Sequence, residues 1–182
     1  MRLSWNNDPN LSDMSDKDYL TDIIHLLTGK IAENPQVTSN YFLRGNAYLD
    51  AGKNEEGIAD FNKVIDLSPS NDVALNNRGI CYRLLRKTKE AISDFNQAIL
   101  LNTEYRDAYN NRGQVYSDLG EFNLAIDDYS KAIEMDSSYA YAYANRGISK
   151  YYIGVKTVMK KAKNNVSKKL YYFMYLQRSQ SY

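Results

Sequence analysis

One cysteine, one histidine, one tryptophan and three prolines are all that this 182-residue chain holds of those four residue types. A single cysteine excludes an internal disulfide, so nothing here calls for an oxidising compartment. With His25 the only histidine, a metal centre or a histidine-based relay would need unrelated partners. Long apolar runs are missing as well. The longest, Leu170 to Leu176, is seven residues, far short of the ~18 of a membrane span. Met1 to Pro9 holds no apolar core of signal-peptide length, so a cytoplasmic soluble protein without a transmembrane segment is the expectation. No Gly-x-x-x-x-Gly-Lys follows a strand, and no segment reads as a strand, which excludes a phosphate loop.

Apolar residues at 43% and charged residues at 25% are ordinary for a soluble fold. The net charge of +1 is unevenly spread. From Val155 onward there are seven basic residues (Lys156, Lys160, Lys161, Lys163, Lys168, Lys169, Arg178) and no acid. The first 154 residues carry 16 basic and 22 acidic groups, a net of −6. The end of the chain is a different kind of sequence from its body.

The body is organised by a repeat. Asn77-Arg78-Gly79 returns as Asn111-Arg112-Gly113 and as Asn145-Arg146-Gly147, and Arg44-Gly45 adds a fourth copy behind Leu43. The glycines Gly45, Gly79, Gly113 and Gly147 are each 34 residues apart, a period that marks a stacked-repeat architecture. Starting each unit seven residues before its glycine gives repeats at 38–71, 72–105 and 106–139, then a first helix only at 140–154. In each repeat one helix runs through the Arg-Gly pair and is expected to end near Gly52, Arg86, Gly120 or Gly154, where a left-handed residue suits glycine. A second helix follows over Glu55–Leu67, Lys89–Leu101 and Phe122–Met135, with acids near its start on the favourable side of the helix dipole. One such hairpin cannot bury its core alone, so neighbours must stack.

Ahead of the repeats, residues 1–14 read as a loose arm. Residues 15–37 read as a capping helix: Ser15 and Asp18 start it, Leu20, Ile23, Ile24, Leu27 and Ile31 keep a helical period, and Asn34-Pro35 stops it. At the far end Lys163 stands where a buried aromatic should be, which a packed core would not accept unpaired. Val155, Val158, Met159, Ala162, Val166, Leu170 and Phe173 still recur at helical spacing. Residues 155–182 are therefore expected to form a lysine-rich amphipathic helix covering the last hairpin in a shifted register, the alternative being a disordered end.

This residue set resembles the tetratricopeptide repeat over roughly residues 38–154. Large residues stand at position 4 (Tyr41, Leu75, Tyr109, Tyr143), tyrosines at 11 (Tyr48, Tyr82, Tyr116), small residues at 20 (Gly57, Ala91, Ala125) and aromatics at 24 (Phe61, Phe95, Tyr129). The resemblance implies an all-α, right-handed superhelix of helical hairpins, with glycine at position 8 where helices approach closely. It also implies that first helices line a concave groove that takes a protein or peptide segment. On that face lie Phe42, Leu43, Asn46 and Asp50; Asn76, Asn77, Ile80 and Arg83; Asp107, Asn110, Asn111, Gln114 and Asp118; and Tyr141, Asn145 and Tyr152. Asn77, Asn111 and Asn145 each offer a donor and an acceptor, either to grip the backbone of an extended peptide or to bond neighbouring repeats.

Arg44, Arg78 and Arg112 at position 7 are matched by Asp60, Asp94 and Asp128 at position 23. In an antiparallel hairpin these lie at nearly the same height. The structural reading is a row of partly buried ion pairs; the functional one presents the arginines to an acidic ligand. Arg146 has no such aspartate in its own repeat. Relatives that clamp chaperone C-termini need cations where this chain has Phe42, Asp107 and Asn111, although Asn46 and Asn77 match. Without those cations a doubly charged terminus is not held.

Nothing points to catalysis, a metal, a cofactor or a small-molecule substrate. Cys81 reads as a small packed side chain. The expected function is a non-enzymatic interaction scaffold. The alternative is a module that self-associates through its C-terminal end or binds an anionic surface with its basic tail, and the acidic body argues against nucleic acid along the groove.

Overall fold

A computed structural model describes the backbone of residues 16–179 and the side chains of residues 18–169. The arm at 1–14, the start at Ser15, and the side chains of Leu170 and Phe173 lie outside the described residues. Eight helices and no strand make up the described chain: α1 (Asp16–Glu33), α2 (Thr38–Asp50), α3 (Asn54–Leu67), α4 (Asp72–Leu84), α5 (Thr88–Leu101), α6 (Arg106–Asp118), α7 (Phe122–Met135) and α8 (Ala140–Ser179).

The turns inside the hairpins repeat atom for atom. Gly52 N–H donates to Leu49 O at 3.0 Å and Lys53 N–H to Tyr48 O at 2.8 Å. Arg86 and Lys87 bond Arg83 and Tyr82, and Gly120 and Glu121 bond Ser117 and Tyr116, in the same two steps. This is the Schellman closure, which needs a left-handed residue at its centre. Gly52 (φ 71°) and Gly120 (φ 77°) meet that need without strain, whereas Arg86 is the one described non-glycine residue at positive φ, 60°. The second helices stop at an extended residue, Ser68, Asn102 or Asp136. Asn102 and Asp136 each accept a backbone N–H two residues on, at 3.2 and 2.9 Å, and so turn the chain into the next repeat.

Each hairpin closes on a ring. Phe61, Phe95 and Tyr129 are 0, 0 and 1% exposed and pack against the glycines of the facing helix. A Cβ built at Gly45, Gly79 or Gly113 would come within 2.9, 2.8 and 2.7 Å of those rings. Burying such a ring stabilises by about 1.5–3 kcal/mol, and glycine is what lets it in. Between repeats, Ala74, Ala108 and Ala142 are fully buried at the start of the next first helix. The first helices α2, α4, α6 and α8 touch one another in succession, while α3, α5 and α7 do not. The array therefore curves towards the first helices, and α1 packs on α2 at its N-terminal end, with Leu27 buried.

The fourth unit departs from expectation. α8 runs straight through Gly154 to Ser179, so there is no turn at Gly154 and no separate covering helix. Every side chain from Lys156 to Lys169 is exposed, Val158, Met159 and Val166 at 67% each. The physical reason lies in what a hairpin would have to bury. Folding back would set Lys163 against Gly147 and would bring Ala162, not an aspartate, to Arg146. A left-handed turn with no packing to offset it loses to a continuous helix. Gly147, expected to be a close-packing glycine like the other three, has nothing within 4 Å of its Cβ position.

Candidate binding face

The first helices are held in register by two networks. In the outer one, the Arg44 guanidinium forks onto Asp60, Nε to Oδ2 at 2.8 Å and Nη2 to Oδ1 at 2.7 Å. Arg78 grips Asp94 at 2.7 and 2.7 Å, and Arg112 grips Asp128 at 2.8 and 2.6 Å. The carboxylates are only 5 to 7% exposed. These hydrogen bonds hold all three guanidiniums above their ordinary pKa. Burial pushes the Asp128 carboxyl up while Arg112 pulls it down; the two short bonds fix the pair as ionised at neutral pH. Each arginine also stacks on a tyrosine of its own helix, at 5.7 Å for Arg44 over Tyr48 and 5.8 Å for Arg78 over Tyr82.

A third leg was not anticipated from sequence. Each Nη1 reaches back to a polar side chain of the preceding unit: Thr28 at 3.0 Å, Asn62 at 2.7 Å and Asn96 at 2.6 Å for Arg44, Arg78 and Arg112, and Ser130 at 3.2 Å for Arg146. The signal was present, because residues 28, 62, 96 and 130 are also 34 apart. The varied residue types concealed it. The Nε–Nη2 edges of Arg44, Arg78 and Arg112 are thus occupied by carboxylates of their own hairpins.

The inner network is a ladder of amides. Asn77 donates to Asn46 Oδ1 at 2.9 Å and accepts from Asn76 at 3.1 Å. Asn111 donates to Asn76 Oδ1 at 3.0 Å, and Asn145 donates to Asn110 Oδ1 at 3.1 Å. Asn76 and Asn110 are each only 3% exposed, so the expectation that they face a ligand is corrected: position 5 points between adjacent first helices and ties them. Asn46, Asn77, Asn111 and Asn145 are half-buried. Each amide nitrogen has two N–H groups, and the ladder uses one on Asn77, Asn111 and Asn145.

Around the ladder the face mixes exposed apolar side chains with acids and is short of available cations. Leu43 and Ile148 are each 52% exposed, Leu84 is 48% exposed and Tyr141 75%. Gln114 is half-buried, whereas Phe42 turns inward, edge-on to Phe61 at 6.1 Å. Arg83 spans to Asp118 in the next repeat at 3.4 Å, and Asp50 stands exposed at the other end. Among the described residues no cluster of three His, Cys, Asp or Glu side chains is placed to hold a metal. None of their helices is long and apolar enough to cross a membrane. Cys81 is fully buried, and burial pushes its thiol up to about 11.

Hairpins stacked at this period with first helices inward define an α-solenoid of the protein-interaction class. The sequence profile of the tetratricopeptide repeat matches residues 73–105 and 107–139, and that of the TPR repeat matches residues 45–85. This chain belongs to the tetratricopeptide repeat family. It is similar to the crystal structure of MamA protein at 26% identity and a TM-score of 0.68, over 80% of this chain and 81% of that one. It is similar to the first TPR domain of the human RPAP3 protein at 30% identity and a TM-score of 0.64, over 68% of this chain and 98% of that one. The first TPR of Spaghetti (RPAP3) bound to the HSP90 peptide SRMEEVD matches at 30% identity and a TM-score of 0.63, over 65% of this chain and 94% of that one.

Proposed function

We propose that this protein is a non-enzymatic cytoplasmic scaffold whose inner groove takes an extended peptide segment of a partner protein. The observation that carries the reading is the inner face itself, a half-buried amide ladder flanked by the exposed Leu43, Ile148 and Tyr141. Spare N–H groups on Asn77, Asn111 and Asn145 suit the carbonyls of an extended backbone, and the apolar side chains suit alternate residues of the ligand. A groove ligand of this kind binding at ~1 μM would correspond to about 8 kcal/mol. The similar RPAP3 domain bound to an HSP90 peptide supports a peptide as ligand class. The charge balance argues for a different peptide here. Arg83 is engaged with Asp118, and Asp50 stands exposed on the same face, so a neutral or basic segment fits better than an acidic terminus.

The test is a random-peptide display selection followed by calorimetry on the selected sequences. Leu43→Ser and Gln114→Ala are expected to weaken the selected peptides about tenfold or more each, and SRMEEVD is expected to bind more weakly than they do. Selected peptides indifferent to both substitutions would overturn the groove reading.

A further inference from the structure

We infer that α8 carries a second docking face, separate from the inner groove, for an acidic amphipathic helix of a partner protein that completes the fourth hairpin in trans. Three hairpins show what the missing element looks like. In the third, α7 presents Ala125, Asp128, Tyr129 and Ala132 to α6, with Asp128 on the Arg112 fork and the Tyr129 ring on Gly113. The first two repeat the pattern with Asp60-Phe61 and Asp94-Phe95.

α8 keeps the receiving half of that arrangement. Arg146 occupies the place of Arg112 and keeps the backward bond to Ser130 at 3.2 Å and the stack on Tyr143 at 5.3 Å. Its Nε–Nη2 edge, which in the other three arginines takes a carboxylate, meets none among the described residues. Gly147 is open where Gly113 is covered, and Tyr143 and Tyr151 beside it are 45 and 68% exposed. One turn further on, Tyr151, Gly154, Val155, Val158 and Met159 line an apolar hollow that continues the face.

Charge decides the occupant. Residues 137–182 hold no acid and nine basic residues, so they offer no carboxylate to the Arg146 fork. A second copy laying its α8 alongside would bring like charge against like charge along the same face. The α3, α5 and α7 of a second copy, the elements with the right pattern, are already buried in their own hairpins. An acidic helix with a small–x–x–Asp–aromatic–x–x–small face satisfies the fork, the open glycine and the lysines together.

Residues 121–136 of this chain, prepared as a labelled peptide with a lactam between Asp127 and Lys131 to hold the helix, carry that face. Both lactam positions are exposed in α7, and four carboxylates and no amine remain. Fluorescence anisotropy with the full-length chain is expected to give saturable binding. Arg146→Ala, or Asp128→Asn in the peptide, should weaken it at least tenfold. Gly147→Leu should abolish it, while circular dichroism shows the variant as helical as the parent. Absence of saturable binding, or binding that ignores Arg146→Ala and Gly147→Leu, would overturn the proposal. Sedimentation showing that the chain alone forms a dimer broken by Gly147→Leu would give the face to a second copy. Peptide binding displaced by duplex DNA in the parent and unchanged in Gly147→Leu would give the lysines to nucleic acid.

Discussion

Replacing Gly79 and Gly147 separately by alanine should change stability with opposite signs, although the two sit at the same position of the repeat. At Gly79 the new methyl would stand 2.8 Å from Phe95 Cε1 and 3.0 Å from two more ring atoms. That ring is 0% exposed and has nowhere to swing. Overpacking of this kind costs about 1–3 kcal/mol, and the better helix propensity of alanine returns up to ~1 kcal/mol, leaving a net loss of up to ~2 kcal/mol. At Gly147 nothing lies within 4 Å, so only the propensity gain remains, about 0.5–1 kcal/mol. Urea unfolding followed at 222 nm should separate the variants by about 1–3 kcal/mol, with Gly147→Ala above the parent; thermal melts should follow at roughly 2–4 °C per kcal/mol. Gly147→Ala destabilising as much as Gly79→Ala would show that something covers the outward face of α8, refuting the argument from its open glycine.

Arg86→Gly should stabilise by about 1 kcal/mol in the same urea assay, because a side chain at positive φ costs roughly 1–2 kcal/mol and the glycine gives some of it back through the unfolded chain. Asp94→Ala should destabilise by about 3 kcal/mol, since it leaves the 18% exposed Arg78 guanidinium without its carboxylate; a loss below 1 kcal/mol would show that Asn62 and water suffice. Ser149→Ala should stabilise by about 1 kcal/mol, because the Ser149 hydroxyl is buried without a partner where the other repeats place Ala47, Cys81 and Val115. The Cys81 thiol, held protonated up to about 11 by burial, should resist alkylation at pH 9 in the native protein and react once urea unfolds it. Between the ordinary thiol pKa near ~8.5 and that value, the unfolded chain loses the proton first, so stability should fall as pH rises.

The period and the hairpins were legible because they are written in residue identity: a glycine that must be small, a ring that must be buried, and an aspartate 16 residues after its arginine. Arg86 was legible as a left-handed position from its alignment with Gly52 and Gly120, despite its side chain. The backward leg of the arginines escaped because threonine, asparagine and serine perform one task there with no shared letter. Asn76 and Asn77 are adjacent and identical, yet one points between helices and the other lines the inner face; only the packing angle separates them. Gly154 misled most, because a glycine permits a stop without requiring one. Whether the chain turns there depends on what the returning helix would bury, and Lys163 makes that return unrewarding.

The three-legged arginines also set the order in which the molecule comes apart. Each of the first three bolts its hairpin shut and, through Nη1, fastens it to the unit before, so adjacent units share a rivet and melt as neighbours in a line. Arg146 keeps only the fastening, a single bond to Ser130. The joint between α7 and α8 keeps that fastening and adds the stack of Tyr152 on Phe122 at 5.2 Å, so the weak point lies past it, in the exposed stretch 157–169 of α8 that has no returning helix against it. Opening travels from that end towards the N-terminus, and amide exchange should be graded along the chain, with the amides of α8 the first to go.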